Sequence, residues 1–495
     1  MKKHTIRLVP LGKGLQVNDQ TPLIDVLHEF GIEFPCGGKG TCGKCKVRLL
    51  DGQIDCTENH RQKLEKLGLA NDWRLACYSR CTSDISLEIE QFNHLILADE
   101  TEFEFSPQEG FGVAVDLGTT TIVAQLIDLS TAKVLAVESI LNPQVKFGAD
   151  LISRIQACMD GNAEEMTRLI RTAIGSMIEI MLKKSDHDLQ KIILVGNTAM
   201  QLIFSNEDVS PLSMYPFRIE NRSMKFFSPE ELGWKFQVKE SIRFYPSIGS
   251  FVGSDILAGI AATEIHLQER YTALIDLGTN GEIVIGNKKR IVCASTAAGP
   301  AFEGANISMG MRAVTGAISN LILKNGKMEA SVIGNTPPKG ICGSALIDAV
   351  ALLRDQELIG MFGEINSGEK QISIAGKVYL TQKDINEFQL AKAAIAAGLT
   401  ILAKSLEIQL SDIDRVYLAG GFGTYINLAH VVKTGMIELQ EEKIHKMGNT
   451  ALIGAKMFLF SNPEITSEIL KKTSHINLEG DPDFQDIYVD KMLFL

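Results

Sequence analysis

The chain has 495 residues, 45% hydrophobic and 22% charged, the balance of a globular protein long enough for about three domains. A formal net charge of −11 argues against nucleic acid as a partner. No run approaches the roughly 18 apolar residues of a membrane span. No apolar stretch follows the basic start Met1-Lys2-Lys3, so neither signal peptide nor membrane contact is predicted, and the expected location is cytoplasmic. The nine cysteines crowd toward the N-terminus without a secretory framework, which suits a reducing, anaerobic cell.

Residues 4–9 and 44–50 alternate as short strands, and Pro22–Phe30 sets Leu23, Val26, Leu27 and Phe30 on one helical face. Between them lies Cys36-Gly37-Gly38-Lys39-Gly40-Thr41-Cys42-Gly43-Lys44-Cys45, and Cys77 follows within Arg74-Leu75-Ala76-Cys77-Tyr78. The C-x5-C-x2-C…C spacing resembles the C-x4-C-x2-C…C of plant-type [2Fe–2S] ferredoxins. Three thiolates on one short loop require a sharp backbone turn, which the interspersed glycines permit. Zinc, which also uses C-x2-C, is the competing reading. Cys77 is preferred to Cys56 and Cys81 as fourth ligand, because its Arg-Leu-Ala-Cys segment resembles the closing segment of ferredoxin domains. Cys158, Cys293 and Cys342 read as buried small hydrophobes. With a returning strand near 85–90, residues 1–92 fit a ferredoxin-like β-grasp domain.

Residues 93–109 read as a linker. The stretch Leu97–Gly110 interleaves Asp99, Glu100, Glu102, Glu104 and Glu109 with two phenylalanines, which suggests a connector that docks weakly and can move.

The rest of the chain is internally duplicated. Phe111-Gly112-Val113-Ala114-Val115-Asp116-Leu117-Gly118-Thr119-Thr120 returns as Thr272-Ala273-Leu274-Ile275-Asp276-Leu277-Gly278-Thr279-Asn280. Each copy is a buried strand ending in Asp-Leu-Gly-Thr, followed by a tight turn and more strands. Gly118 and Gly278 let backbone N–H groups approach a phosphate. Thr119, Thr120, Thr279 and Asn280 add polar donors beside it. Asp116 and Asp276, at strand ends, suit Mg²⁺ held directly or through its water shell. An ordinary β-turn would explain either copy alone; two copies in matching strands predict a shared ATP site.

A third element, Arg415-Val416-Tyr417-Leu418-Ala419-Gly420-Gly421-Phe422-Gly423, runs from a strand into glycines that allow backbone to lie flat against an adenosine. The Gly-Asn-Thr repeats at 196–198 and 448–450 read as turns and helix N-caps. Helices are expected over 148–159, 163–183, 251–266, 342–359 and 387–407, giving an α/β fold. The loop 297–306, with Glu303, reads equally as a ligand-touching surface or an irregular connection. The nine histidines lack ligand spacing.

In combination and order, these residues resemble one family, the reductive activators of corrinoid proteins that carry an N-terminal [2Fe–2S] domain. The resemblance rests on Cys36, Cys42, Cys45 and Cys77, the paired Asp-Leu-Gly-Thr loops, Gly-Pro-Ala-Phe-Glu-Gly at 299–304 and Leu-Ala-Gly-Gly-Phe-Gly at 418–423, and covers nearly the whole chain. It implies a β-grasp domain followed by a duplicated ribonuclease-H-like ATPase of the actin/sugar-kinase/heat-shock group, with lobes at 110–266 and 267–495. It further implies a [2Fe–2S] cluster, ATP and Mg²⁺ as cofactors, a low-potential electron donor, and a corrinoid protein of a methyltransferase system as partner; a homodimer is left open. The implied task is ATP-dependent one-electron reduction of inactive Co(II) to Co(I). The alternative is a small-molecule kinase whose cluster domain only regulates it; it would need a carboxylate base beside a hydroxyl pocket, for which Glu303 is the nearest candidate.

Overall fold

The computed structural model describes residues 2–9, 13–30, 32, 34, 36–43, 45–89, 103–183, 188–304, 306–366, 368–420, 426–462 and 464–494. Asp99, Glu100, Glu102, Gly421, Phe422 and Gly423 therefore lie outside the described residues.

The N-terminal part forms a five-stranded sheet in the order Lys13–Asn18, Lys3–Val9, Ile85–Glu88, Lys46–Asp51, Trp73–Leu75. Only Lys3–Val9 and Ile85–Glu88 pair in parallel. Alternation puts Ile6, Leu8, Val47 and Leu87 inward, against Leu27, Phe34 and Leu75. The expected helix over 22–30 breaks into one α-turn, Ile24–Leu27, and a 3₁₀ turn, His28–Phe30. A second helix, Glu58–Lys66, escaped sequence reasoning because it buries only His60 and Leu64 and so carries little apolar periodicity.

The duplication is visible strand by strand. The first lobe's sheet runs Val134–Leu141, Thr121–Asp128, Phe111–Leu117, Leu189–Gly196, Ile242–Phe244, with Lys225–Phe227 outermost. The second lobe's runs Ile291–Thr296, Gly281–Gly286, Thr272–Leu277, Arg415–Ala419, Ile444–Gly448, and adds Thr473–His475 beside Ile291–Thr296. In both, the first three of these strands are antiparallel and the next two join in parallel. The strands ending in Asp116 and Asp276 are central and buried on both faces, which explains their unbroken apolar runs. Ala163–Leu182 packs on the first sheet and Gln382–Ser405 on the second.

The last parallel strand of each lobe leads into a helix, Ser254–Ala262 in the first and Thr450–Phe458 in the second. These two helices pack on each other so closely that a Cβ at Gly454 would lie 2.1 Å from the carbonyl oxygen of Ala258. Around them Ala114, Val195, Ile256 and Ile260 of the first lobe share one core with Leu274, Val284, Ala451 and Ala455 of the second. The two Asp-Leu-Gly-Thr turns follow from the ends of the strands Phe111–Leu117 and Thr272–Leu277. Among the described residues, no helix is long and apolar enough to cross a membrane.

Candidate functional site

The four expected ligand thiols converge in two pairs: Cys36 with Cys42, Sγ–Sγ 3.4 Å, and Cys45 with Cys77, Sγ–Sγ 3.3 Å. Two thiolates on one tetrahedral metal with bonds of about 2.3 Å stand roughly 3.8 Å apart, so each pair fits one iron of a two-iron cluster. Gly37, Gly38, Gly40 and Gly43 all take positive φ, between +59° and +76°. Gly40 is also required sterically, since a Cβ there would meet the Tyr78 ring at 2.4 Å. A hydrogen bond from Cys42 holds the Cys36 thiol down to about 4, and Cys45 lowers Cys77 in the same way, its own thiol being shifted upward as the proton donor. Hydrogen bonding within each pair thus favours the thiolate at Cys36 and at Cys77. Cys56 stands outside both pairs, and Cys81, fully buried, donates to the Ser83 carbonyl.

At the other centre the two Asp-Leu-Gly-Thr turns face each other. The hydroxyls of Thr120 and Thr279 lie 3.0 Å apart, and Oε1 of Glu303 accepts from both, at 3.3 and 3.1 Å. Glu303 thereby ties first-lobe and second-lobe loops together. The two glycines differ. A Cβ at Gly118 would sit 2.5 Å from the Thr121 carbonyl oxygen, whereas at Gly278 the nearest atom is 3.9 Å away. Gly118 is demanded by the hairpin; Gly278 leaves open space in the cleft. Thr119 is buried, its hydroxyl accepting from Asn197 Nδ2 at 2.8 Å.

Asp116 and Asp276 are joined by two acids that sequence reasoning missed, Asp255 and Glu282. Burial is the first cause of each shift: it pushes Asp116 up to about 6, Asp276 to about 7 and Asp255 to about 7, and Glu282 well above the carboxylate range. Mutual repulsion adds to it, Asp255 and Asp116 acting on Asp276, and Asp255 and Asp276 on Glu282. The signal for Asp255 was available as a lone acid in the first turn of an otherwise apolar helix. That for Glu282 was an acid directly opposite Asp276 in the hairpin register.

The two Gly-Asn-Thr repeats are N-caps, as expected, and more. Asn197 Oδ1 accepts from Met200 N at 3.0 Å while its amide donates to Thr119. Asn449 Oδ1 accepts from Leu452 N at 2.9 Å while its amide donates to Asp116 Oδ2 at 2.8 Å. One asparagine from each lobe therefore steadies the first Asp-Leu-Gly-Thr turn. Asn142 adds a third, donating to the Gly118 carbonyl at 2.9 Å. Asn280 hydrogen-bonds Glu282 with its side chain. Gly420, at φ +90°, abuts the second loop: a Cβ would fall 2.4 Å from the Leu277 oxygen and 2.8 Å from Asp276 Oδ1.

With this geometry in view, known proteins fall into line. Residues 8–82 match the 2Fe-2S iron-sulfur cluster binding domain, 111–268 the RACo middle region, and 270–495 the C-terminal domain of RACo, the ASKHA domain. The chain belongs to the RACo family, the reductive activators of corrinoid proteins. Similar to it is the corrinoid activation enzyme RamQ of Eubacterium limosum, 29% identical and covering 98% of both chains. The [Co(II) methylated amine-specific corrinoid protein] reductase of Methanosarcina barkeri is 27% identical, over 78% of this chain and 77% of its own. A solved structure of a reductive activator for corrinoid, iron-sulfur protein superposes with TM-score 0.70 at 28% identity, covering 99% of this chain and 98% of that one. The expected fold, a ferredoxin domain followed by an ASKHA domain, is thus the observed one.

Proposed function

We propose that the chain uses Mg-ATP hydrolysis between its lobes to drive one-electron reduction of Co(II) to Co(I) in a corrinoid protein, through a [2Fe–2S] cluster held by Cys36, Cys42, Cys45 and Cys77. The observation that carries this reading is the pairing of those four thiols in a chain that also brings two Asp-Leu-Gly-Thr loops together. Its parts are the cluster domain at 1–92, the linker at 93–109 and the lobes at 110–266 and 267–495, working in the cytoplasm with a low-potential electron donor.

A cluster of this type, when bound, accepts and releases single electrons near −400 mV. Reduction of Co(II) in a protein generally lies lower, so ATP must shift the equilibrium, and it does so only by binding the productive state more tightly. Asp116 and Asp276 hold Mg²⁺, directly or through its waters, with Asp255 and Glu282 completing a site whose crowded negative charge calls for a cation. Asp255, buried beside Asp116 and Asp276, is the candidate to orient the attacking water. The amides of Gly118 and Gly278, with Thr119, Thr120, Thr279 and Asn280, face the phosphates. Gly420 braces Asp276, and the following Gly421 and Gly423 take the adenosine.

The test is anaerobic: protein with intact cluster, a Co(II) corrinoid protein and a low-potential reductant, with and without Mg-ATP, following Co(I) by absorbance. Co(I) should accumulate only with ATP. Equal accumulation without it overturns the coupling.

A further inference from the structure

Residues 103–110 lie across the joint between the lobes. Their C-terminal end is fixed to the first lobe: Gln108 N donates to the Leu129 carbonyl at 2.9 Å, Leu129 N donates to the Gly110 carbonyl at 3.0 Å, and Lys191 Nζ donates to Gln108 Oε1 at 2.5 Å. Their N-terminal end is fixed to the second. Phe103 and Phe105 pack on Phe460, with ring centroids 5.6 and 5.0 Å away, and Lys456 Nζ sits 5.4 Å from the centre of the Phe103 ring. Glu104, between the two phenylalanines, is exposed.

Lys456 lies in the last turn of helix Thr450–Phe458 and Phe460 follows two residues beyond it; the other end is capped by Asn449, the residue that grips Asp116. Nine helical residues span about 14 Å, so a single rigid element has the nucleotide-site carboxylate at one tip and the aromatic contact at the other. Its packing on Ser254–Ala262 sets Gly454 directly on the Ala258 backbone, and packed helices can slide past each other by small shear motions.

We propose that residues 103–110 are a strap, latched by Phe103 and Phe105 on Phe460, that nucleotide releases. Under the function proposed above, Asp116 would turn toward bound Mg-ATP and away from Asn449. The helix tip is then free to shift, and the aromatic contact at the far end opens. Freeing the five residues 103–107 lengthens the tether of the cluster domain by up to about 17 Å. Electron tunnelling falls steeply with distance, so a longer tether widens the range over which the cluster can approach a partner's corrin.

The strap is tested by cleavage after Glu104 with a glutamate-specific protease, fragments identified by mass, on the full-length protein and on Phe103→Ser/Phe105→Ser. In the wild type, cleavage should be several-fold faster with a non-hydrolysable ATP analogue than with ADP or no nucleotide. The double variant should be cut at the fast rate in all three conditions, with its cluster spectrum and basal ATPase unchanged. A Phe460→Ala variant should behave like it. Cleavage of the double variant at the slow wild-type rate overturns the latch. Equal cleavage in all nucleotide states of a wild type that binds the analogue overturns its control by ATP, while a wild type that binds no nucleotide overturns the function proposed above and that control with it, leaving the latch to be judged by the nucleotide-free comparison.

Discussion

Thr120 and Thr279, 159 residues apart in the chain, hold their hydroxyl oxygens 3.0 Å apart across the cleft. Each also donates to one oxygen of Glu303. Two hydroxyl protons cannot serve three contacts at once, so with both protons on the carboxylate the two hydroxyls meet without one. A phosphate, with several acceptor oxygens, would accept a hydrogen bond from each hydroxyl and relieve this competition.

Thr120→Val and Thr279→Val should each weaken ATP binding roughly ten- to a hundredfold, the effect of losing a hydrogen bond to a charged group, about 1.5–3 kcal/mol. Glu303→Gln should do the reverse, lowering the Kd for ATP more than for ADP, because a negative charge leaves the threonine pair. Calorimetric titration of the three variants decides it. Unchanged ATP affinity in both valine variants would remove the loops from phosphate contact.

The buried acids set the pH dependence. Asp116, Asp255 and Asp276 have folded values near 6, 7 and 7, above their ordinary 3.8. The folded state therefore binds more protons than the unfolded one between about pH 4 and 7, and stability falls as pH rises through that window. Without Mg²⁺, Tm should be highest near pH 5 and decline toward pH 8, by an amount equivalent to a few kcal/mol. Mg²⁺ should restore it mainly at the higher pH, and Asp255→Asn should flatten the slope. A metal-free Tm that rises from pH 5 to 8 would show that these carboxyls are not desolvated together.

Much of this architecture was legible in the sequence for physical reasons. Strands buried on both faces leave continuous apolar runs, so Phe111–Leu117 and Thr272–Leu277 announced both the duplication and its register. Four thiols at fixed spacing on a glycine-rich loop have few alternative uses. What stayed hidden depends on distant contact. Asn197 and Asn449 read as caps, which they are, but their second hydrogen bonds reach residues 78 and 333 positions away. Glu282 acquires its role only when the hairpin sets it opposite Asp276. Gly420, expected against an adenosine, also abuts Asp276 and Leu277, a contact between separate strands that composition cannot reveal.

Cluster ligation can be separated from general damage. Cys42→Ala should lose both irons and the visible absorbance, whereas Cys56→Ala should retain them. Cys81→Ala should retain the cluster too, at a stability cost of about 1–2 kcal/mol for its buried side chain. Gly40→Ala keeps every thiol but forces its Cβ into the Tyr78 ring at φ +71°, so cluster content should drop well below wild type. Iron and labile-sulfide analysis measures all four. A full cluster in Cys42→Ala together with loss in Cys56→Ala would reassign the ligand set.

Asn449 carries two functions that one substitution can divide. Its Oδ1 caps helix Thr450–Phe458, and its amide holds Asp116. Serine caps a helix about as well as asparagine, while alanine loses typically about 1 kcal/mol. The shorter serine side chain cannot span the 2.8 Å contact to the carboxylate. Asn449→Ser should therefore leave Tm near wild type and yet change the Mg-ATP dependence of hydrolysis by about tenfold, the scale of one hydrogen bond to an ionised group. Asn449→Ala should show the same catalytic change with a lowered Tm in addition. Thermal melts and ATPase titrations on both proteins separate the cap from the grip on Asp116. Wild-type hydrolysis at every Mg-ATP concentration in Asn449→Ser would mean that Asp116 is positioned without this contact.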